Sequence, residues 1–341
     1  WAVAEGRLQG PAREHYLHAG RAPAAGAIFR APGQAEVLRR IAARGRDGFY
    51  EGEVLDDMLA ALRDGPHRAA DFAGPHADWT TPIRGTYRGM EVIEHPPNNQ
   101  GTAALLLLAM LERFDLAALD PTGPGRAHLE AEATKLAYDA RNRFLADPAH
   151  MHPVDRLQAP GLAARLAALI APDRAMGPPA PLTEEVHRDT VLVTAADRDG
   201  MSVSLIYSIF HSFGAGLASP KFGILLHNRG AGFTLAAGHP NEAGPGKRPL
   251  HTILPGFLRE AGMVMPFGVM GGSSPTSWTT EWTCRPPSTR RAALPPTGAS
   301  TSSGPIPPTP GTRWRGWATM SRRPRRRSAA PRRSASTPPA A

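Results

Sequence analysis

Cysteine is almost missing from this sequence: its single copy is Cys284, and residues 1–272 hold none. That excludes disulfides and thiolate-bound metal from the first 272 residues. No apolar run is long enough to span a bilayer, and the longest, which starts at Ala103, fits a core helix. No charged segment followed by an apolar one marks a secretion signal. The chain opens on Trp1 rather than Met, so a missing start is expected, and both a secreted or periplasmic and a cytoplasmic location stay open. GxGxxG, the P-loop and HExxH are all absent. Asp197-x-Asp199-Gly200 resembles the opening of a calcium loop but lacks its bidentate glutamate, so it is read as a turn. No cofactor and no metal are expected.

The formal charge of +9 over 341 residues points at first to a nucleic-acid or membrane-surface binder. Its distribution removes that reading. Residues 273–341 carry 12 Arg, no Lys and one acid, Glu281, which leaves 27 basic and 29 acidic side chains in residues 1–272. A body of net −2 offers a nucleic acid no electrostatic footprint. No nucleic-acid partner and no membrane span are expected.

After Gly272 Pro, Arg, Ser, Thr and Ala dominate, yet four of the six Trp also lie there. A disordered basic tail is depleted in aromatic residues. Trp and Met each have one codon, which allows a test. Reading Trp278 through Cys284 one base earlier forces Asp at both Trp-Thr pairs and permits V-D-Y-G-M-D-L. The same shift permits P-A-A-I-D-A-P-R through Arg291 and A-L-A-G-L-G-H across Arg313 to Met320. These strings have the balance of folded sequence. Residues 273–341 are therefore read as off-frame and disordered, and no motif within them is used.

Periodicity organises the rest. Val37, Leu38, Ile41 and Ala42 share one face of a helix over Gln34 to Arg44, with Gly45 as its C-cap. A second amphipathic stretch covers Val54 to Leu62. Gly74 to Pro82 reads as loop and Gly85 to Glu94 as one strand. Thr102 is placed as the cap of a helix over Ala103 to Arg113. Thr122 to Gly125 is a turn, and a long helix follows from His128 to Leu145 with Leu129, Ala133, Leu136, Ala140 and Phe144 on one stripe. Pro172 to Glu185 reads as linker. Strands are expected over Thr190 to Ala196, Ser202 to Phe210 and Gly223 to Leu226, the first two joined by the Asp197–Gly200 turn. Helices followed by antiparallel strands predict an α+β fold or layered sandwich.

The sequence resembles the γ-glutamyltranspeptidases and their acylase relatives. The resemblance runs in order through Phe49-Tyr50-Glu51-Gly52, Tyr87-Arg88-Gly89, Pro96-Pro97-Asn98-Asn99-Gln100-Gly101, and the helix from His128-Leu129-Glu130-Ala131-Glu132 to Asp147-Pro148. It continues through Asp189-Thr190-Val191, Asp197-Arg198-Asp199-Gly200, Ser212-Phe213-Gly214-Ala215-Gly216, His227-Asn228-Arg229-Gly230, Pro245-Gly246-Lys247-Arg248-Pro249-Leu250 and Met270-Gly271-Gly272. Each motif is weak alone; their order and spacing are specific.

The resemblance implies an N-terminal-nucleophile hydrolase fold, an αββα four-layer sandwich that is incomplete in this chain. Residues 1–189 correspond to the C-terminal part of a large subunit and 190–272 to the start of a small one. One precursor gives both by cutting itself at Asp189–Thr190, and the two remain a heterodimer. Thr190 then becomes the nucleophile, and its freed α-amino group, titrating near 7.7–8.0, serves as base. Read alone, Thr190 is an ordinary strand residue. Ser208 matches the family's second hydroxyl, or is a plain strand serine. Gly271-Gly272 match the backbone donors to the oxyanion, or form a turn. Asn228, Arg229, His251 and Thr252 match substrate-binding positions, although His251 stands where a hydroxyl is usual and also reads as a surface histidine. The substrate implied is a γ-glutamyl amide, with an amine or water as acceptor.

Two departures bear on that substrate. Gly232 occupies the position of the acid that holds the substrate's ammonium group, and the early arginine that grips its α-carboxylate lies outside this chain. Arg229 is thus a candidate reader of a distal carboxylate, as in glutaryl or cephalosporin-type acylases, or else a solvated turn arginine. A non-processing structural relative is the remaining alternative. The 341-residue chain by itself is expected to be inactive.

Overall fold

A computed structural model describes residues 1–151, 156–177 and 190–268. Asp189, Gly271, Gly272 and the 273–341 tail lie outside the described residues, as does most of the expected 172–185 linker. The helices are α1 (Pro11–Tyr16), α2 (Pro32–Arg44), α3 (Asp47–Tyr50), α4 (Gly52–Ala61), α5 (Ala69–Ala73), α6 (Gly101–Leu111), α7 (Pro124–Phe144) and α8 (Leu162–Ala167). The strands are β1 (Ile83–Tyr87), β2 (Met90–Glu94), β3 (Thr190–Ala196), β4 (Ser202–Ser208), β5 (Pro255–Glu260) and β6 (Met263–Gly268). They form a four-stranded antiparallel sheet in the order β1-β2-β5-β6 and a separate β3–β4 hairpin. The fold is α+β.

The stretch read as one strand over Gly85 to Glu94 is a hairpin that turns at Arg88-Gly89. Both residues have positive φ, 50° and 84°, a conformation glycine adopts without steric cost. β2 continues into β5 with Val92 opposite Leu258 and Glu94 opposite Gly256. Met90, Val92 and Leu258 join Leu105, Leu106, Leu108, Leu129, Ala133 and Leu136 in the main core. α6 is apolar on nearly every side because it is buried on nearly every side. Each leucine it sinks contributes about 1.5–3 kcal/mol.

The expected α6 cap is not used: Gln100 holds the N-cap position, and Thr102 is wholly buried inside the first turn. α7 begins earlier than expected because Pro124 supplies its first turn. Its stripe is buried from Leu129 to Ala140, but Phe144 is exposed. α2 buries Val37 and leaves Leu38 exposed, so its inward face is narrower than the pattern suggested. It packs with Val54, Leu55, Met58 and Phe222 in a second cluster.

The β3–β4 hairpin has the expected β3 limits and turn, while β4 ends at Ser208 rather than Phe210. Asp197 Oδ1 accepts from Asp199 N at 2.9 Å and Met201 N at 2.8 Å, and Gly200 has φ 88°. The face carrying Leu192, Ser204 and Ile206 lies against β6, where Ser204 Oγ donates to the Phe267 carbonyl at 2.5 Å. The other face shows Val191, Val193, Val203, Leu205 and Tyr207 to solvent. The third expected strand, Gly223 to Leu226, reduces to one bridge between Ala218 and Leu225.

Candidate active site

The hairpin register sets the centre of the site. Thr190, the first residue of β3, pairs with Ser208, the last of β4. Thr190 Oγ1 donates to Ser208 Oγ at 3.1 Å, and the same oxygen accepts from Phe210 N at 3.0 Å. Two residues separated by a full hairpin thus present adjoining hydroxyls, with Ser208 fixed by the backbone that follows it. That backbone turns sharply: Phe210 and Phe213 have φ 79° and 59°, left-handed values that bulky residues rarely adopt.

The His227-Asn228-Arg229 run packs onto this turn. Asn228 N donates to the Ile209 carbonyl at 3.2 Å. Its side chain is engaged at both ends by His211: Oδ1 accepts from the backbone N at 3.0 Å, and Nδ2 lies 2.7 Å from the ring Nδ1. Asn228 therefore anchors the segment after Ser208. The ring of Phe210 lies under the Arg229 guanidinium, 4.3 Å from Cζ to its centroid.

Arg229 is only 6% exposed, which overturns the solvated-turn reading. Its Nη1 donates to Thr252 Oγ1 at 3.2 Å, whereas Nε and Nη2 are buried with no hydrogen-bond partner among the described residues. Burial lowers its pKa to about 10. Buried charges are normally paired, so this guanidinium keeps donor capacity that no described residue takes up. His251 is partly buried rather than a surface residue. Burial first, then the charges of Arg229, His227 and His95, push its pKa down to about 3, so it is a neutral ring at ordinary pH. Burial and Arg229 likewise lower His227.

Gly232 has no room for a side chain: a Cβ there would stand 2.8 Å from the Leu250 carbonyl oxygen. Asn241 closes the gap, donating from Nδ2 to the Gly232 carbonyl at 2.6 Å and accepting from Leu250 N at 3.0 Å. The position of the expected ammonium-binding acid is therefore shut by backbone.

Thr190 with Ser208, and Arg229 with Thr252, form two directly bonded pairs, linked through Phe210. The sequence reading assigned no role to Phe210, His211 or Arg141, whose contacts with Arg229, Asn228 and Gln100 join positions far apart in the chain and leave no local signal. Among the described residues no group of three or more His, Cys, Asp or Glu could hold a metal ion, and no helix is long and apolar enough to cross a membrane.

A family model described as Gamma-glutamyltranspeptidase matches residues 2–286. The chain is 33% identical over 261 residues to the glutathione hydrolase-like YwrD proenzyme of Bacillus subtilis, covering 75% of this chain and 49% of that protein. It is 35% identical over 264 residues to the oxamate amidohydrolase proenzyme of Klebsiella pneumoniae, covering 76% and 49%. Among solved structures it is similar to a cephalosporin acylase from Bacillus halodurans, with TM-score 0.70, 33% identity, and coverage of 80% of this chain and 51% of that one. The chain spans about half the length of the curated relatives it matches.

Proposed function

The chain belongs to the γ-glutamyltranspeptidase family, and from that premise we propose that it carries the nucleophile and acyl-binding wall of an amide hydrolase and acyltransferase acting through Thr190. Its α+β fold is that of the N-terminal-nucleophile hydrolases. The observation that carries the proposal is the Thr190 hydroxyl at the first residue of β3, bonded to Ser208.

Breaking the Asp189–Thr190 bond frees the Thr190 α-amino group. This amine takes the Oγ1 proton as Oγ1 attacks the substrate's amide carbon. In this reading Gly271 and Gly272 donate backbone N–H groups to the oxyanion. The C–N bond then breaks, the leaving amine takes the proton from the α-ammonium, and the acyl group stays on Oγ1 as an ester. Water or an acceptor amine cleaves the ester and restores Thr190. The two chains made by the cut remain together as large and small subunits.

The substrate is an amide whose acyl group bears a carboxylate, γ-glutamyl amides included, with Arg229 as the carboxylate's partner. A second reading has a specific support. The closed Gly232 position puts no acid where the family holds a substrate ammonium, which favours dicarboxylic monoamides without an amino group. The test uses the enzyme expressed from its complete gene. N-terminal sequencing should find a chain starting at Thr190, and Thr190→Ala should give one uncut, inactive chain. Cleavage at this bond in that variant would remove the assignment. Comparing kcat/KM for γ-glutamyl and glutaryl p-nitroanilides decides the acyl group, and a strong γ-glutamyl preference would sink the second reading.

A further inference from the structure

The Pro96–Gly101 motif has no role in the chemistry above, yet its side chains reach the substrate-binding strip. Asn98 Nδ2 donates to the Pro249 carbonyl at 2.6 Å, and its own carbonyl accepts from His251 N at 2.8 Å. Gln100, only 4% exposed, donates from Nε2 to the Thr252 carbonyl at 2.6 Å. Its Oε1 accepts from Arg141 Nη1 at 2.9 Å. Arg141 is buried in α7, with Nε on Asn142 Oδ1 at 3.0 Å and its guanidinium 4.0 Å from the Tyr138 ring centroid. On the far side, Thr252 Oγ1 accepts from Arg229. The contacts make one line: Arg141, Gln100, the Thr252 carbonyl, the Thr252 hydroxyl, Arg229.

We propose that Gln100, held by Arg141, is a positioning residue that sets Arg229 through Thr252 and so tunes recognition of the substrate's carboxylate. The inference rests on Arg229 being the carboxylate's partner. An amide fits this task because it donates and accepts at once: Oε1 is committed to Arg141, which leaves Nε2 facing the carbonyl. Thr252 is then fixed at its backbone by residues preceding the predicted cut, while its side chain supplies the contact that orients the guanidinium. A free Arg229 would lose rotamer entropy on gripping a carboxylate; a pinned one has already lost it.

The experiment measures kcat and KM for glutaryl-p-nitroanilide and for uncharged valeryl-p-nitroanilide in the processed enzyme expressed from its complete gene. The readout is the ratio of the two kcat/KM values. Gln100→Glu keeps an acceptor for Arg141 but turns an oxygen toward the Thr252 carbonyl; Gln100→Met removes both contacts. Either variant should lower the ratio about tenfold, through KM for the glutaryl substrate, the scale of one well-placed hydrogen bond. Gln100→Glu added to Arg229→Met should lower it no further. If Arg229→Met alone leaves the ratio at the wild-type value, the carboxylate reading itself fails. If Arg229→Met collapses the ratio but the Gln100 variants leave it intact, depress both substrates alike, or add in full to Arg229→Met, the positioning role is overturned. Should Gln100→Met fail to fold, Gln100→Glu and Thr252→Val, which keeps the backbone carbonyl and deletes the hydroxyl, carry the same comparison.

Discussion

Replacing Arg229 by Met should stabilise the empty enzyme while disabling it. A guanidinium that releases its proton near 10 instead of 12.5 is kept charged at a cost of roughly 3 kcal/mol. Two contacts offset part of that cost. The bond to Thr252 Oγ1 contributes about 1 kcal/mol, and the Phe210 ring under the guanidinium about 1 more. Methionine keeps much of the buried stem and ends the desolvation of a charge that has no acidic partner among the described residues. The balance favours the variant by about 1 kcal/mol, or about 1 °C in Tm for a protein of this length or longer. Adding glutarate should reverse the order. At a hundredfold excess over Kd the ligand stabilises the wild type by about 2.7 kcal/mol and leaves the variant where it was. The assay is calorimetric unfolding of both proteins with and without glutarate. An empty variant that melts several degrees below the wild type, or equal stabilisation of both by glutarate, would refute the claim of an uncompensated charge awaiting a carboxylate.

His251 gives a pH prediction. Its folded pKa, about 3, lies below the ordinary 6.5, so the stability tied to its neutral ring is complete above pH 6.5 and is lost as pH falls toward 3. Denaturation at stepped pH should show His251→Asn flattening that acid limb, by up to about 2 kcal/mol at pH 5; parallel wild-type and variant curves would contradict the assignment. Gly232→Asp, the direct attempt to restore an ammonium-binding acid, should cost about 1–3 kcal/mol of stability through overpacking against the Leu250 carbonyl. It should yield no gain in γ-glutamyl over glutaryl turnover, and a gain at undiminished Tm would show that the Leu250 strip gives way.

The β3–β4 hairpin was legible because everything that makes it is local: β-branched alternation, an Asp-x-Asp-Gly turn, and a return strand of matching length. The Thr190–Ser208 pairing follows from that register. β5 and β6 were not found, since Pro255 to Gly268 carries little alternation and β5 owes its place to β2, with Glu91 opposite Arg259. A pairing of such sequence separation leaves no local trace. Gly85 to Glu94 misled because the reading passed over Gly89, a turn signal beside Arg88, where the chain reverses with positive φ at both residues. Thr102 looked like a cap by composition, but the loop before α6 shifts the helix start and buries the hydroxyl. The family resemblance picked out Gly232 as a departure and Arg229 as a candidate carboxylate reader. Burial left the latter without an acidic partner among the described residues, and the Leu250 carbonyl made the former a closed position.

The sheet order has a consequence for how such an enzyme is made. β1 and β2 precede the predicted cut, β5 and β6 follow it, and the sheet is joined along the β2–β5 seam. While the precursor is one chain, closing that seam is an intramolecular event, assisted by the tether's effective concentration in the millimolar range. Under the proposed cut at Asp189–Thr190, the assembled sheet is held by its own contacts, but forming it anew becomes a bimolecular encounter. Such a cut would act as a ratchet, turning a structure that folds readily into one whose loss is hard to reverse. Uncut Thr190→Ala protein should recover from denaturant at a yield independent of dilution, whereas the mature two-chain form should recover poorly when dilute.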